Sequence, residues 1–123
     1  MKLLLLFLAG GLGTLLRFAL SSAVQRQVGL SFPWGTMAVN LLGCFLFGLF
    51  WSLMESRVDI SREWRAVVLV GFLGGFTTFS SFAFEATGLL RDGAWLPALG
   101  HVVGQNVLGV LLVMAGLAVG RHG

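Results

Sequence analysis

Residues 71–82 read Gly71-Phe72-Leu73-Gly74-Gly75-Phe76-Thr77-Thr78-Phe79-Ser80-Ser81-Phe82, two adjacent glycines followed by four hydroxyl residues interleaved with phenylalanine. Glycine disfavours a helix interior by about 1 kcal/mol relative to alanine. Serine and threonine hydroxyls compete with the helical ladder for backbone partners. The stretch therefore predicts a helix that breaks, releasing carbonyls and amides. At membrane depth such a break is tolerated only inside protein or beside a hydrated cavity. Freed carbonyls suit small cations, and freed amides or hydroxyls donate to anions. The competing reading is an intact helix whose hydroxyls bond back to their own turn while the glycines admit a neighbour.

Polar groups elsewhere favour the first reading. Asn40 shares a helical face with Gly43 and Cys44, and Arg17 shares a stripe with Gly10, Thr14 and Ser21. Gln105 and Asn106 interrupt the last apolar run, and Glu85 follows Ser81 by four residues, so those two share a face. Charges inside a bilayer cost about 2.5–3.5 kcal/mol on insertion scales and normally face a pathway or partner. Asn, Gln, Ser and Thr all present N–H or O–H donors, and Arg17 adds fixed positive charge, so the set favours an anion. Phe79 and Phe82 lie on neighbouring parts of one face, where positive ring edges could solvate a small anion; phenylalanines at that spacing also serve as ordinary packing. Catalysis fits badly: the chain offers no nucleophile–base–orienter set, no metal-ligand cluster and no phosphate loop. His101 and His122 are too far apart in sequence to suggest a metal site, and Cys44 is a lone cysteine.

The elements that must position these groups are membrane spans. The chain has 123 residues, 57% of them hydrophobic and 11% charged, too few charges to cover a water-facing surface. A span needs about 20 apolar residues, and four segments qualify: 3–24, 33–54, 64–90 and 95–119. The reading is one all-α, four-helix transmembrane domain with the third helix broken mid-membrane. Trp34, Trp51, Trp64 and Trp95 fall near helix ends, as an interfacial aromatic belt requires. Glycine pairs such as Gly100 and Gly104 or Gly116 and Gly120, and the run Gly10, Gly11 and Gly13, are expected to serve close helix packing. The eight Lys and Arg are scattered at the ends of apolar runs rather than clustered, which argues for headgroups and against nucleic acid. Lys2, Arg57, Arg62, Arg65 and Arg121 fall on one side and Arg26 and Arg91 on the other, so the tally leans toward cytoplasmic termini. The first apolar stretch is too long, and interrupted by Arg17, to read as a cleaved signal peptide.

These residues resemble the fluoride channels of the Fluc (CrcB) family. Gly74 to Phe82 followed by Glu85 resembles that family's third-helix signature, Gly35-Thr36-Met37-Ala38-Val39-Asn40-Leu41-Leu42-Gly43 its second-helix motif, and Gly10 to Arg17 its first. The match runs through essentially the whole chain. The resemblance implies an antiparallel, dual-topology homodimer in the bacterial inner membrane, passing fluoride passively out of the cytoplasm. It implies a structural Na⁺ at the dimer centre, held by the main-chain carbonyls of Gly74 and Thr77. It makes Phe79 and Phe82 pore phenylalanines, Asn40 a pore donor, and Ser80, Ser81 and Asn106 pore-side groups. Arg17 would sit toward a vestibule and Glu85 near a pore end. Val110 and Met114 depart from the family's fourth-helix polar track, although Asn106 and Gly109 fit it. A small drug/proton antiporter is the nearest rival, but it needs a carboxylate in the first span, which has none. A non-transporting assembly subunit is the other.

Overall fold

The computed structural model describes residues 1–29 and 31–122; Leu30, in the first connection, and Gly123 lie outside them. Its elements are α1 (Lys2–Val28), α2 (Trp34–Glu55), α3 (Arg62–Ala66), a π-helical segment (Val67–Phe72), α4 (Leu73–Phe76), α5 (Phe79–Arg91) and α6 (Trp95–His122). The pieces between Arg62 and Arg91 form one interrupted span, so four helical runs are long and apolar enough to cross a membrane. The described residues are helix and connections, an all-α protein.

Local chemistry sets the ends. α1 runs past residue 24 to Val28 because Gln25 ties its last turn to the start of α2. The Gln25 Nε2 donates to the carbonyls of Gly29 and, at 2.8 Å, Phe32, and its Oε1 accepts from the Gly35 N–H at 3.0 Å. The chain leaves α1 through Gly29 at φ 140°. Ser61 caps α3, its hydroxyl accepting from the Trp64 N–H at 3.3 Å. Gly93, at φ 75°, turns the chain after α5 in the left-handed conformation that L side chains disfavour.

Packing is extensive between α2 and α6, while α1 lies against the π-helical segment, α4 and α2. Glycine makes both contacts possible. A Cβ on Gly48 would strike the Val113 carbonyl, and one on Gly116 would strike the Phe45 carbonyl. On the other side Gly13 abuts the Phe72 carbonyl and Gly75 the Gly10 carbonyl. Backbones thus touch where apolar burial supplies little association energy, as expected in a bilayer. Gly11 and Gly100 differ from the sequence expectation: a Cβ there meets nothing within 4 Å, so neither serves packing within the chain. Within this frame Met54, Leu69 and Leu73 form a small core, flanked by Leu46, Phe50 and Phe72. Gly13 is the buried residue of α1, whose Leu3, Phe7, Leu15 and Phe18 are broadly exposed, the pattern of a lipid-facing helix.

Replacing Gly116 by Ala is expected to destabilise the protein by about 1–3 kcal/mol, because the added methyl meets backbone, whereas Gly100→Ala should stay within about 0.5 kcal/mol. Tryptophan fluorescence during thermal unfolding in detergent checks both, and equal losses would remove the close-approach argument.

Candidate functional site

The third span breaks at Thr77 and Thr78, both extended (φ −97°, ψ 161° and φ −151°, ψ 118°). A π-helical segment two turns earlier already widens the helix around Gly71, a deviation often found at functional sites. Once the ladder opens, each freed group needs a partner, and the sequence supplies them in a fixed pattern. The Asn40 side chain pairs with the Thr78 peptide on both sides. Its Oδ1 accepts from the Thr78 N–H at 2.8 Å and its Nδ2 donates to the Thr78 carbonyl at 2.9 Å. Thr78 then caps α5, its Oγ1 accepting from the Ser81 N–H at 3.1 Å. Its hydroxyl also lies 3.1 Å from Ser81 Oγ and 3.3 Å from Ser80 Oγ. On the α4 side, Arg17 Nε donates to the Gly75 carbonyl at 3.0 Å. Thr77 turns its hydroxyl back to the Leu73 carbonyl at 3.0 Å and rests its methyl on Gly43, where no side chain would fit.

Two carbonyls lose their ladder donors through these exchanges. The Thr78 N–H that would serve Gly74 goes to Asn40, and the Ser81 N–H that would serve Thr77 goes to Thr78 Oγ1. Gly74 is exposed and Thr77 half-buried.

Around the break lies a cavity of about 380 Å³, lined by Asn40, Gly43, Cys44, Gly74, Thr77 and Thr78 with Phe79, Phe82, Gln105 and Asn106. Seven of the residues that the sequence offers as site groups therefore meet here: Asn40, Gly74, Thr77, Phe79, Phe82, Gln105 and Asn106. Phe79 and Phe82 pack at a centroid distance of 5.4 Å and an angle of 58°, the first exposed and the second buried. Ser80, Ser81, Arg17 and Glu85 do not line the cavity; the serines and Arg17 reach it through the break's hydrogen bonds. Asn106 bonds back to the Val102 carbonyl at 2.7 Å, the same local pairing that the hydroxyls of an intact helix would make. Val110 and Met114 are exposed and outside the lining, so the α6 side of the cavity is built instead by Gln105, Asn106 and Val113.

A polar chain continues from Asn40 away from the break. Asn40 Nδ2 also donates to Gln105 Oε1 at 2.7 Å. Gln105 Nε2 lies 3.1 Å from His101 Nδ1 and 3.3 Å from its Nε2. His101 Nε2 stands 3.7 Å from Glu85 Oε1, while Glu85 Oε2 accepts from the Thr36 hydroxyl at 2.9 Å. Sequence reasoning missed Thr36 and His101 as site residues. The signal was present: Thr36 and Asn40, and His101 and Gln105, are each four apart on one helix face.

Fold and site together define a polytopic membrane protein built around a broken helix whose freed groups line a polar-edged cavity. Residues 4–117 match the family model for CrcB-like protein, Camphor Resistance (CrcB). A relative from Nitrosococcus oceani is 55% identical over 120 residues, covering 98% of this chain and 96% of its own. One from Solidesulfovibrio magneticus is 51% identical over the same shares. A third, from Nitratidesulfovibrio vulgaris (strain Miyazaki F), is 48% identical, covering 98% of this chain and 97% of its own. All three bear the name fluoride-specific ion channel FluC. The chain belongs to the CrcB family, whose members are ion channels and not enzymes. It is a multi-pass protein of the bacterial plasma membrane.

Asn40→Ala is expected to cost about 1–3 kcal/mol, since the Thr78 N–H loses its acceptor inside the span. Asn106→Ala, which loses only a bond to its own helix, should stay within about 0.5 kcal/mol. Denaturation of the detergent-solubilised variants checks the contrast; comparable stabilities would deny Asn40 its role in holding the break.

Proposed function

We propose that this chain forms a fluoride-selective channel, working as an antiparallel, dual-topology homodimer that lets fluoride leave the cytoplasm passively. The observation that carries the reading is the mid-span break lined by donors and aromatic edges, in a chain 55% identical to a relative named as a fluoride-specific ion channel. Fluoride is small and strongly hydrated, so a narrow route must replace water with N–H, O–H and ring-edge contacts. Asn40, Ser80, Ser81 and Asn106 are the donors in question, with Phe79 and Phe82 beside them and Arg17 as the nearby cation. In the arrangement described, both Asn40 N–H bonds are engaged, by the Thr78 carbonyl and Gln105 Oε1. An anion taking a bond from Asn40 therefore competes with Gln105. Fluoride entering acidified cells as HF ionises in the neutral cytoplasm, and an open anion path drains it without energy coupling.

A structural sodium ion fits the same break. Gly74 and Thr77 offer main-chain oxygens that have lost their ladder donors, and Thr77's hydroxyl is turned toward Leu73. Neutral hard oxygens without a carboxylate suit a weakly charged alkali ion better than a divalent one. Two carbonyls fill only part of its shell, so a second copy would supply the rest, in keeping with the exposure of Gly74 and Phe79. When bound, the ion would cross-link the two broken helices. Thr77→Ser keeps the carbonyl and should keep the dimer; a dimer lost in that variant would assign the role to the side chain.

Efflux from liposomes holding the purified protein, followed with fluoride and chloride electrodes, tests the channel. Fast fluoride release with little chloride release is expected, and Phe82→Ile should slow it by roughly two- to tenfold, the worth of an aromatic-edge contact. Folded dimers that release no fluoride would favour the assembly-subunit reading.

A further inference from the structure

His101 is wholly buried on α6, yet it carries a titratable ring. Phe82 (5.0 Å between centroids) and Phe32 (5.4 Å) enclose it. Glu85, from α5, is the ionisable group facing it among the described residues; α2 contributes Thr36 to Glu85 and Asn40 to Gln105, neither of them titratable. Glu85 Oε1 is itself buried and takes no hydrogen bond, so the ring nitrogen 3.7 Å away is the donor placed to serve it.

The direction of the chain can be read bond by bond. Asn40 needs its Oδ1 for the Thr78 N–H, so its Nδ2 must face both the Thr78 carbonyl and Gln105. Gln105 then shows its oxygen to Asn40 and its Nε2 to both ring nitrogens of His101, 3.1 Å from Nδ1 and 3.3 Å from Nε2; since Nε2 is the nitrogen that faces Glu85, Nδ1 is assigned as the acceptor. The ring proton is left on Nε2, directed at Glu85. A neutral ring with that tautomer satisfies both neighbours. A second proton lands on Nδ1 and turns an acceptor into a donor, so the Gln105 amide has to turn over and offer its oxygen to the ring. Its Nε2 then faces Asn40 Nδ2, two donors that cannot bond each other. Both border the cavity.

From this we propose that His101 is a positioning residue whose second proton reverses the Gln105 amide, releasing N–H donors from Gln105 and Asn40 into the cavity and raising anion conduction in acid. The inference rests on the channel reading above and deepens it. It concerns the conditions under which HF loads the cell, and the added positive charge acts in the same direction as the added donors.

The test records fluoride current across planar bilayers, where neutral HF carries no charge, as the ratio of current at about pH 5.5 to that at about pH 7.5, the range in which imidazoles titrate. The wild type should give a ratio of roughly fivefold, the worth of about one net hydrogen bond. His101→Asn keeps an acceptor toward Gln105 and cannot gain a proton, so its ratio should fall to unity. Glu85→Gln should keep a ratio above unity. A flat wild-type profile, or one that survives in His101→Asn and vanishes in Glu85→Gln, overturns the proposal. A wild type with no fluoride current at any pH overturns the channel reading instead. Independently of current, ¹⁵N NMR of His101 in a His122→Gln background should show an Nε2–H tautomer at pH 7.5 that becomes imidazolium in acid. An Nδ1–H tautomer, or a ring neutral throughout, overturns the amide reversal.

Discussion

A peptide group left unpaired in the middle of a membrane span costs several kcal/mol, and the protein depends on how that cost is met at Thr78. Asn40 offers a donor and an acceptor in the spacing of a second peptide, so the broken helix is paired from the side by α2. The neighbouring geometry is a consequence of this exchange. Because Asn40 takes the Thr78 N–H, the Gly74 carbonyl is released. Because Thr78 Oγ1 takes the Ser81 N–H, α5 starts cleanly and the Thr77 carbonyl is released as well. A single side-chain amide thus converts a helix defect into a stable set of main-chain oxygens at mid-span.

The pairing works only if the helices come close, and glycine controls that distance. Thr77 fits against α2 because Gly43 has no side chain, and Gly75 lies on the Gly10 backbone. The second contact brings α1 near enough for Arg17 to reach the Gly75 carbonyl. A guanidinium spent on a carbonyl beside the break leaves its charge close to the cavity without lining it. Packing and site are therefore one design: the small residues that hold the bundle together are those that let its polar groups meet.

The span count and the break were legible because each rests on local composition, namely apolar length, two adjacent glycines and a run of hydroxyls, whereas the meeting of the break with Asn40, Phe79 and Phe82 was expected from the resemblance to the family. The polar chain beyond Asn40 was less legible. In the sequence Thr36 and His101 look isolated, and a lone histidine suggests at most a metal ligand. Their partners come from other helices, and no local pattern says which faces will touch. The regularity that could have found them is that every span carries a polar pair at i, i+4: Arg17 and Ser21, Thr36 and Asn40, Ser81 and Glu85, His101 and Gln105. Val110 and Met114 depart from a polar track in sequence, yet they face outward from the chain. Helix rotation, set by Gly48 and Gly116 between α2 and α6, decides that, and rotation is a property of the packed bundle.

A carboxylate beside the proposed anion route looks self-defeating, and the geometry resolves it. Glu85 lies six residues beyond the start of α5, about 9 Å along the axis at 1.5 Å per residue, and does not line the cavity. Thr36 donates to one oxygen and His101 stands before the other. In the proposed relay Glu85 orients the ring, the ring orients the Gln105 amide, and the amide orients Asn40. The charge is therefore spent on orientation, and at the cavity it appears as the direction in which two neutral amides point.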